Sequence, residues 1–224
     1  MRPCFLVLGY GIPRNILTDE NYRMYLKCVF NHIFAWCVEQ DIWNPVIIFS
    51  GGKTDMVKPY RRTEAGEMVK LFRTLMGRSA VKRHARLWTL ISETRAFSTL
   101  DNFLYAKDIL RKRKIEMQSM IVFGEQTRLR RITVLARKIF KRSQVITIDF
   151  DQSPNRYLDP KFLTQKESEA LRFDLVALQG QKALKKHRTL FKQKFAFLRQ
   201  AGSDHHVEAV RLWWEKELQE SLTA

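Results

Sequence analysis

Four short stretches carry residue types that can do chemistry. "SGGKT", residues 50–54, places Ser50, Gly51 and Gly52 directly after an apolar run, with Lys53 and Thr54 behind them. Glycines lack a Cβ, so their backbone N–H groups can turn toward an anion, and the serine adds a hydroxyl donor. The stretch therefore reads as a cradle for a small anion, its rival being a plain strand-to-helix turn. "GYGIPR", residues 9–14, offers Gly9 and Gly11 in the same way. "ETRAFSTLDN", residues 93–102, supplies Glu93, Thr99 and Asn102. Glu93 can serve as an acid or base, or hold a ribose hydroxyl or a cation, with Asn102 orienting it. In the plainer reading Thr99 only caps the next helix. "GEQTRLRR", residues 124–131, ends in Arg128, Arg130 and Arg131, which can clamp phosphate through paired N–H groups. Three nearly adjacent residues on a helix cannot all face one site. Glu64 is a second acid/base candidate, at a helix start where the dipole favours a carboxylate with or without a function.

Something must bring these stretches to one place. Five short apolar runs precede or separate them: Cys4–Leu8, Val46–Phe49, Leu87–Ile91, Met120–Phe123 and Val145–Ile148. They are rich in β-branched residues and nearly continuous, as parallel strands buried on both faces are. Between them, helical spacing appears at about 20–40, 63–76, 100–114 and 127–142. Strand, helix, strand repeated predicts one doubly wound, mainly parallel five-stranded sheet of the Rossmann-like α/β class over residues 1–150. Ligands of such sheets bind beyond the carboxyl ends of the strands, where all four stretches fall. Residues 151–224 read as a helical extension packed on that domain. It begins with a turn-rich connection, "DFDQSPNRYLDP". Thr164 and Glu167 have the spacing of a capping box, Gly202 acts as a breaker, and Asp204 can cap the last helix.

Three familiar motifs fail on spacing. A triphosphate-binding loop needs a glycine five positions before Gly52, where Ile47 stands, leaving "GKT" a coincidence. The dinucleotide fingerprint needs a third glycine three after Gly11, where Arg14 stands. The histidines are scattered apart from His205 and His206, so no metal site is expected. Cys4, Cys28 and Cys37 are odd in number and read as reduced core residues.

The chain has 224 residues and a formal charge of +17. No apolar run is long enough to span a bilayer, and no signal-peptide core is present, so a cytoplasmic location is expected. Residues 58–150 hold 22 basic and 8 acidic residues, whereas residues 1–57 are balanced. Such a middle third suits an anionic partner, either nucleic acid or an anionic membrane surface, or else is a solvated basic face. In the tail, Lys185, Lys186, Arg188, Lys192 and Lys194 beside Phe191 and Phe195 can lie on a membrane or pack as an amphipathic helix with its lysines in water.

Taken in order, "VLGYGIP", "IIFSGG", "RTEAGEM" and "ETRAFSTLDN" resemble the bacterial family of unknown-function domains that includes YdcF, SanA and ElyC, over about residues 3–150. The resemblance implies a Rossmann-like fold with a polar pocket. It also implies nucleotide-like ligands, S-adenosylmethionine among them, and envelope or lipid-carrier roles. The chain departs from the family after the fourth strand. The family carries a His a few residues ahead of an Arg, and here those positions are Thr127 and Arg130. Several relatives carry an N-terminal membrane helix, and no such helix is expected within this sequence.

The expectation is a pocket for a phosphorylated or nucleotide-like small molecule, such as S-adenosylmethionine or a polyprenyl phosphate. Gly9, Gly11, Ser50, Gly51, Gly52, Thr99, Asn102 and Arg130 would build it. Glu93 and Glu64 would be the acid/base candidates for hydrolase or transferase chemistry, with a divalent cation as an optional cofactor. The rival is a non-catalytic module that binds a polyanion through the basic middle third and tail.

Overall fold

The computed structural model describes residues 2–150, 160–202 and 205–222. The chain forms two compact units, one of residues 1–55 and 61–150, the other of residues 56–60 and 151–224. The first unit holds the sheet. Its strands are β1 (Arg2–Leu8), β2 (Val46–Ser50), β3 (Thr89–Glu93), β4 (Met117–Glu125) and β5 (Ser143–Ile148). Its helices are α1 (Glu20–Gln40), α2 (Glu64–Met76), α3 (Ser79–Ala85), α4 (Thr99–Lys112) and α5 (Leu129–Ile139). The strand order is β3-β2-β1-β4-β5 and every pair is parallel, the doubly wound Rossmann-like arrangement.

Alternation along the strands builds two cores. Phe5 and Val7, Ile47 and Phe49, Ile121 and Phe123 join the buried faces of α1 and α2, where Tyr25, Val29, Met68 and Phe72 pack. Cys4, Leu6, Ile48 and Val122 are buried as well, as are Leu100 and Phe103 of α4 and Ile132 and Leu135 of α5. A strand apolar on both faces must be covered twice, which is why the central runs show no polar alternation. The helix starts are capped locally. Asp19 accepts from the Tyr22 N–H and Thr63 accepts from the Gly66 N–H.

The structure corrects several local expectations. The third strand begins two residues late, at Thr89 rather than Leu87. Leu87 is half exposed, and its N–H closes the end of α3, a helix the apolar spacing does not reveal. Glu93 is thus the last residue of β3 and sits in register with Ser50. Ser98, not Thr99, caps α4, and Thr99 is its first residue. Cys28 is exposed, while Cys4 and Cys37 are buried, and all three are free.

The second unit is helical, with α6 (Pro160–Ala177), α7 (Gln181–Ala201) and α8 (His206–Leu222). The Thr164 hydroxyl donates to the Pro160 carbonyl inside α6, so the expected capping box does not form. The turn-rich connection over 151–159 and the proposed cap at Asp204 lie outside the described residues. Phe191 is buried within this unit beside His187 and Trp214, so it cannot present a membrane-facing apolar stripe. Among the described residues no helix is long and apolar enough to cross a membrane.

Candidate functional site

The carboxyl ends of the strands in the first unit carry two buried polar clusters. The first joins β2, β3 and α4. The Ser50 Oγ lies 2.8 Å from Glu93 Oε2 and 2.9 Å from Asn102 Oδ1, all three groups buried. One hydroxyl proton cannot serve two acceptors. Turning the Asn102 amide so that its NH2 donates to Ser50 satisfies the set. The Glu93 carboxylate also accepts from the N–H groups of Arg95 (2.7 Å) and Ala96 (3.3 Å), closing the turn after β3. Burial pushes its pKa above the usual carboxylate range, against the hydrogen bonds that stabilise the charge.

The second cluster is centred on Glu64, the first residue of α2. Its Oε1 accepts from the Gly11 N–H and the Thr54 hydroxyl, each at 2.8 Å. Burial again raises the carboxyl pKa, and the Glu93 charge adds a smaller push in the same direction. The glycines make room for this side chain. A Cβ on Gly9 or on Gly51 would stand 2.2 Å from Glu64 Oε2. Gly52 answers a different demand, since a Cβ there would meet the Ala96 carbonyl at 2.3 Å.

This geometry corrects the expected anion cradle. The Gly51 N–H donates to the Glu93 carbonyl at 3.0 Å and the Gly52 N–H to the Ala96 carbonyl at 2.7 Å. The first N–H groups of α2, on Glu64 and Ala65, donate to the Gly52 and Gly51 carbonyls. The donors of "SGG" are therefore spent inside the fold. The stretch holds β2, β3 and α2 together around two carboxylates instead of holding an anion.

Beyond β1 the loop is fixed by tyrosines that sequence reasoning missed. The Tyr22 hydroxyl accepts from the Tyr10 N–H and donates to the Gly11 carbonyl at 2.6 Å, and the Tyr25 hydroxyl donates to the Leu8 carbonyl. Burial raises both phenol pKa values, so these are neutral anchors. Tyr22 and Tyr25 share helical spacing with Leu26, Val29 and Ile33, which reads as an apolar face, and nothing local signals their polar role. Thr54 was likewise passed over, as part of a rejected motif.

Arg128 and Arg130 separate clearly. Arg130 is exposed on α5, whereas Arg128 lies half-buried in the 3-10 turn Gln126–Arg128. The Arg128 guanidinium sits 4.4 Å from the Tyr10 ring centre and donates a long bond, 3.4 Å, to the Gly9 carbonyl. It therefore bridges the ends of β1 and β4, where the strand order reverses and where open α/β sheets hold their ligands. Arg131 is buried. Thr127, at the position of the family's His, donates through both its N–H (2.8 Å) and its hydroxyl to the Glu125 carboxylate. Another arginine closes the opposite side of the Glu64 loop. Arg62 makes a two-pronged bond to the buried Asp55 (2.9 and 2.8 Å) and donates to the carbonyls of Pro13 and Arg14.

Among the described residues no three His, Cys, Asp or Glu side chains gather as a metal ion would require. No protein-family model matches the chain, and no curated protein or solved structure matches it either.

Proposed function

We propose that the sheet unit binds a phosphorylated or nucleotide-like small molecule over the crevice between β1 and β4, with Arg128 holding the phosphate. The observation that carries this reading is the state of Arg128. Among the described residues it is a half-buried cation at the switch point with no carboxylate at ion-pair distance. The neighbouring cations are engaged differently, Arg62 with Asp55 and Arg95 with Glu93 and Asp108. A guanidinium desolvated on one face by an aromatic ring keeps its fork of N–H donors for a planar or tetrahedral oxyanion. Glu64 lies close enough to feel that charge, and burial raises its carboxyl pKa above the usual carboxylate range, the direction a general acid needs. Hydrolysis or group transfer at the bound phosphate would use it so. Glu93 is the less favoured acid, because its lone pairs hold the turn after β3.

The resemblance to the YdcF, SanA and ElyC family directs the choice of ligands. A thermal-shift screen with nucleotides, sugar nucleotides, S-adenosylmethionine and polyprenyl phosphates is the test. One class of anion is expected to raise the melting temperature. Arg128→Gln is expected to weaken its binding by about 1.5–3 kcal/mol, as for one lost hydrogen-bonding charge, while Arg130→Gln leaves binding intact. No shift with any phosphorylated compound, or equal losses in the two variants, overturns the reading.

A further inference from the structure

The topology gathers the excess charge of residues 58–150 at the other end of the same sheet. In a parallel sheet every helix-to-strand connection returns to the amino end. The connection from α4 to β4 is "RKIE" (113–116), directly after Arg111 and Lys112 in the last turn of α4, the one from α5 to β5 is "FKR" (140–142), and β1 opens at Arg2. These segments are direct neighbours. The Arg2 N–H donates to the Glu116 carbonyl at 2.9 Å, and the Met120 N–H donates to the Arg142 carbonyl at 3.0 Å. Arg2, Arg113, Lys114, Lys138, Lys141 and Arg142 are all exposed there. None of the six makes an ion pair among the described residues. The acids at this end of the sheet include Glu116, Asp108, and Glu39 and Asp41 at the end of α1; Asp108 is taken by Arg111 and Lys112 at 2.9 and 2.8 Å.

Two simpler explanations fall short. A helix dipole favours cations in the last turn, which accounts for Lys138 but not for Arg2, Lys141 or Arg142 in loop or strand. Random solvation does not account for the contrast between the two ends. At the carboxyl end Arg62, Arg95 and Arg128 each have a carboxylate or an aromatic partner, with Arg130 exposed, whereas at the amino end six exposed cations on three adjoining segments have no ion pair among the described residues. Crowded like charges repel and cost stability unless a polyanion offsets them.

From this patch we infer that the amino end of the sheet is a docking face for the phosphodiester backbone of double-stranded nucleic acid. The phosphate oxygens accept from the arginine and lysine donors. A duplex presents one charge per ~1.7 Å of axis, which matches a dense, unpaired cation field. A membrane is the weaker fit. Surface-seated proteins combine cations with buried apolar area. The exposed large apolar residues at this end, Val38 in the last turn of α1 and Leu87 before β3, belong to the segments leading into β2 and β3 and not to those that join β1, β4 and β5. Single strands fit less well, because Phe140, the aromatic between Ile139 and Lys141, is buried and cannot stack on a base. Contacts of this kind read charge and shape, so binding is independent of base sequence.

The test is fluorescence anisotropy with a short labelled duplex of mixed sequence across a salt series. Arg113→Gln, Lys138→Gln, Lys141→Gln and Arg142→Gln are combined in one variant, all at exposed positions, so its melting temperature should match that of the parent. The affinity of the variant is expected to fall ~10-fold or more. Its slope of log affinity against log salt should shrink by about 0.9 for each phosphate contact removed. Lys185→Gln with Lys186→Gln, exposed on α7, and Arg128→Gln are expected to leave duplex binding unchanged. The inference is overturned if the parent protein does not bind the duplex at low salt, or if the quadruple variant keeps the parental affinity and slope. It is also overturned if vesicles containing phosphatidylserine capture the protein while the duplex does not.

Discussion

Replacing Glu64 separates what its charge does from what its oxygen does. The Oε1 atom accepts from the Gly11 N–H and the Thr54 hydroxyl. Glu64→Ala strands both donors in a buried place. Each stranded donor costs about 1–3 kcal/mol, so the loss should be about 2–6 kcal/mol, reduced by whatever water enters the space. Glu64→Gln keeps an acceptor oxygen at that position and removes the buried charge. Above the folded-state pKa of Glu64, where the carboxylate is ionised, it should cost less than about 1 kcal/mol or stabilise slightly, because that is the form burial penalises. The pH dependence gives a second reading. The folded-state pKa of Glu64 is raised, so the folded protein holds the proton more tightly than the unfolded chain. The stabilisation from that proton is complete below the unfolded pKa and is lost as pH rises through the folded one. The parent should therefore gain stability at this group as pH falls through the folded-state pKa toward the unfolded one, and Glu64→Gln should lack that part of the gain. The assay is urea unfolding across this pH range, followed by amide exchange in β1 and β2 so that the sheet unit alone is read. If Gln costs as much as Ala and the pH dependence is unchanged, the carboxyl group is neither buried nor held as described.

Gly52→Ala should destabilise the sheet unit by about 2 kcal/mol or more, measured in the same unfolding assay, because its methyl group would meet the Ala96 carbonyl at 2.3 Å and the backbone must move. Arg62→Gln removes the two-pronged partner of Asp55 and should cost about 1–3 kcal/mol, with amide exchange rising first in the loops around residues 11–15 and 52–62. In the helical unit, His187→Phe leaves the fully buried Asp174 without the ring nitrogen now 2.9 Å from it. Exchange in α6 and α7 should accelerate by a factor that corresponds to about 2 kcal/mol or more, and an unchanged rate would show that the pair contributes nothing to that unit.

Much of the architecture is legible in the chain because strands buried on both faces and helices buried on one leave different periods. Runs such as Val46–Phe49 and Met120–Phe123 mark the sheet, and the spacing of Tyr25, Val29 and Ile33 marks α1. Parallel order and right-handed crossovers then follow from general chain geometry, and they place the ends of all five strands together. That logic also brought Ser50, Glu93 and Asn102 to one edge of the sheet, where their side chains meet within 3 Å. Local sequence could not decide what those groups do once they meet. The glycines of "GYG" and "SGG" looked like donors for an outside anion. In the tertiary structure Gly9 and Gly51 are small because Glu64, more than ten residues away along the chain, occupies the space a Cβ would take. The choice between Arg128 and Arg130 was also tertiary. Two residues apart on one turn, they point to different surroundings, and only the packing of Tyr10 under that turn brings Arg128 to the switch point. Hydrophobic period is a property of neighbours in sequence, so it can be read directly. Hydrogen-bond partnership and close approach depend on which distant segments the fold brings within a few ångströms, so they appear only after the chain has folded.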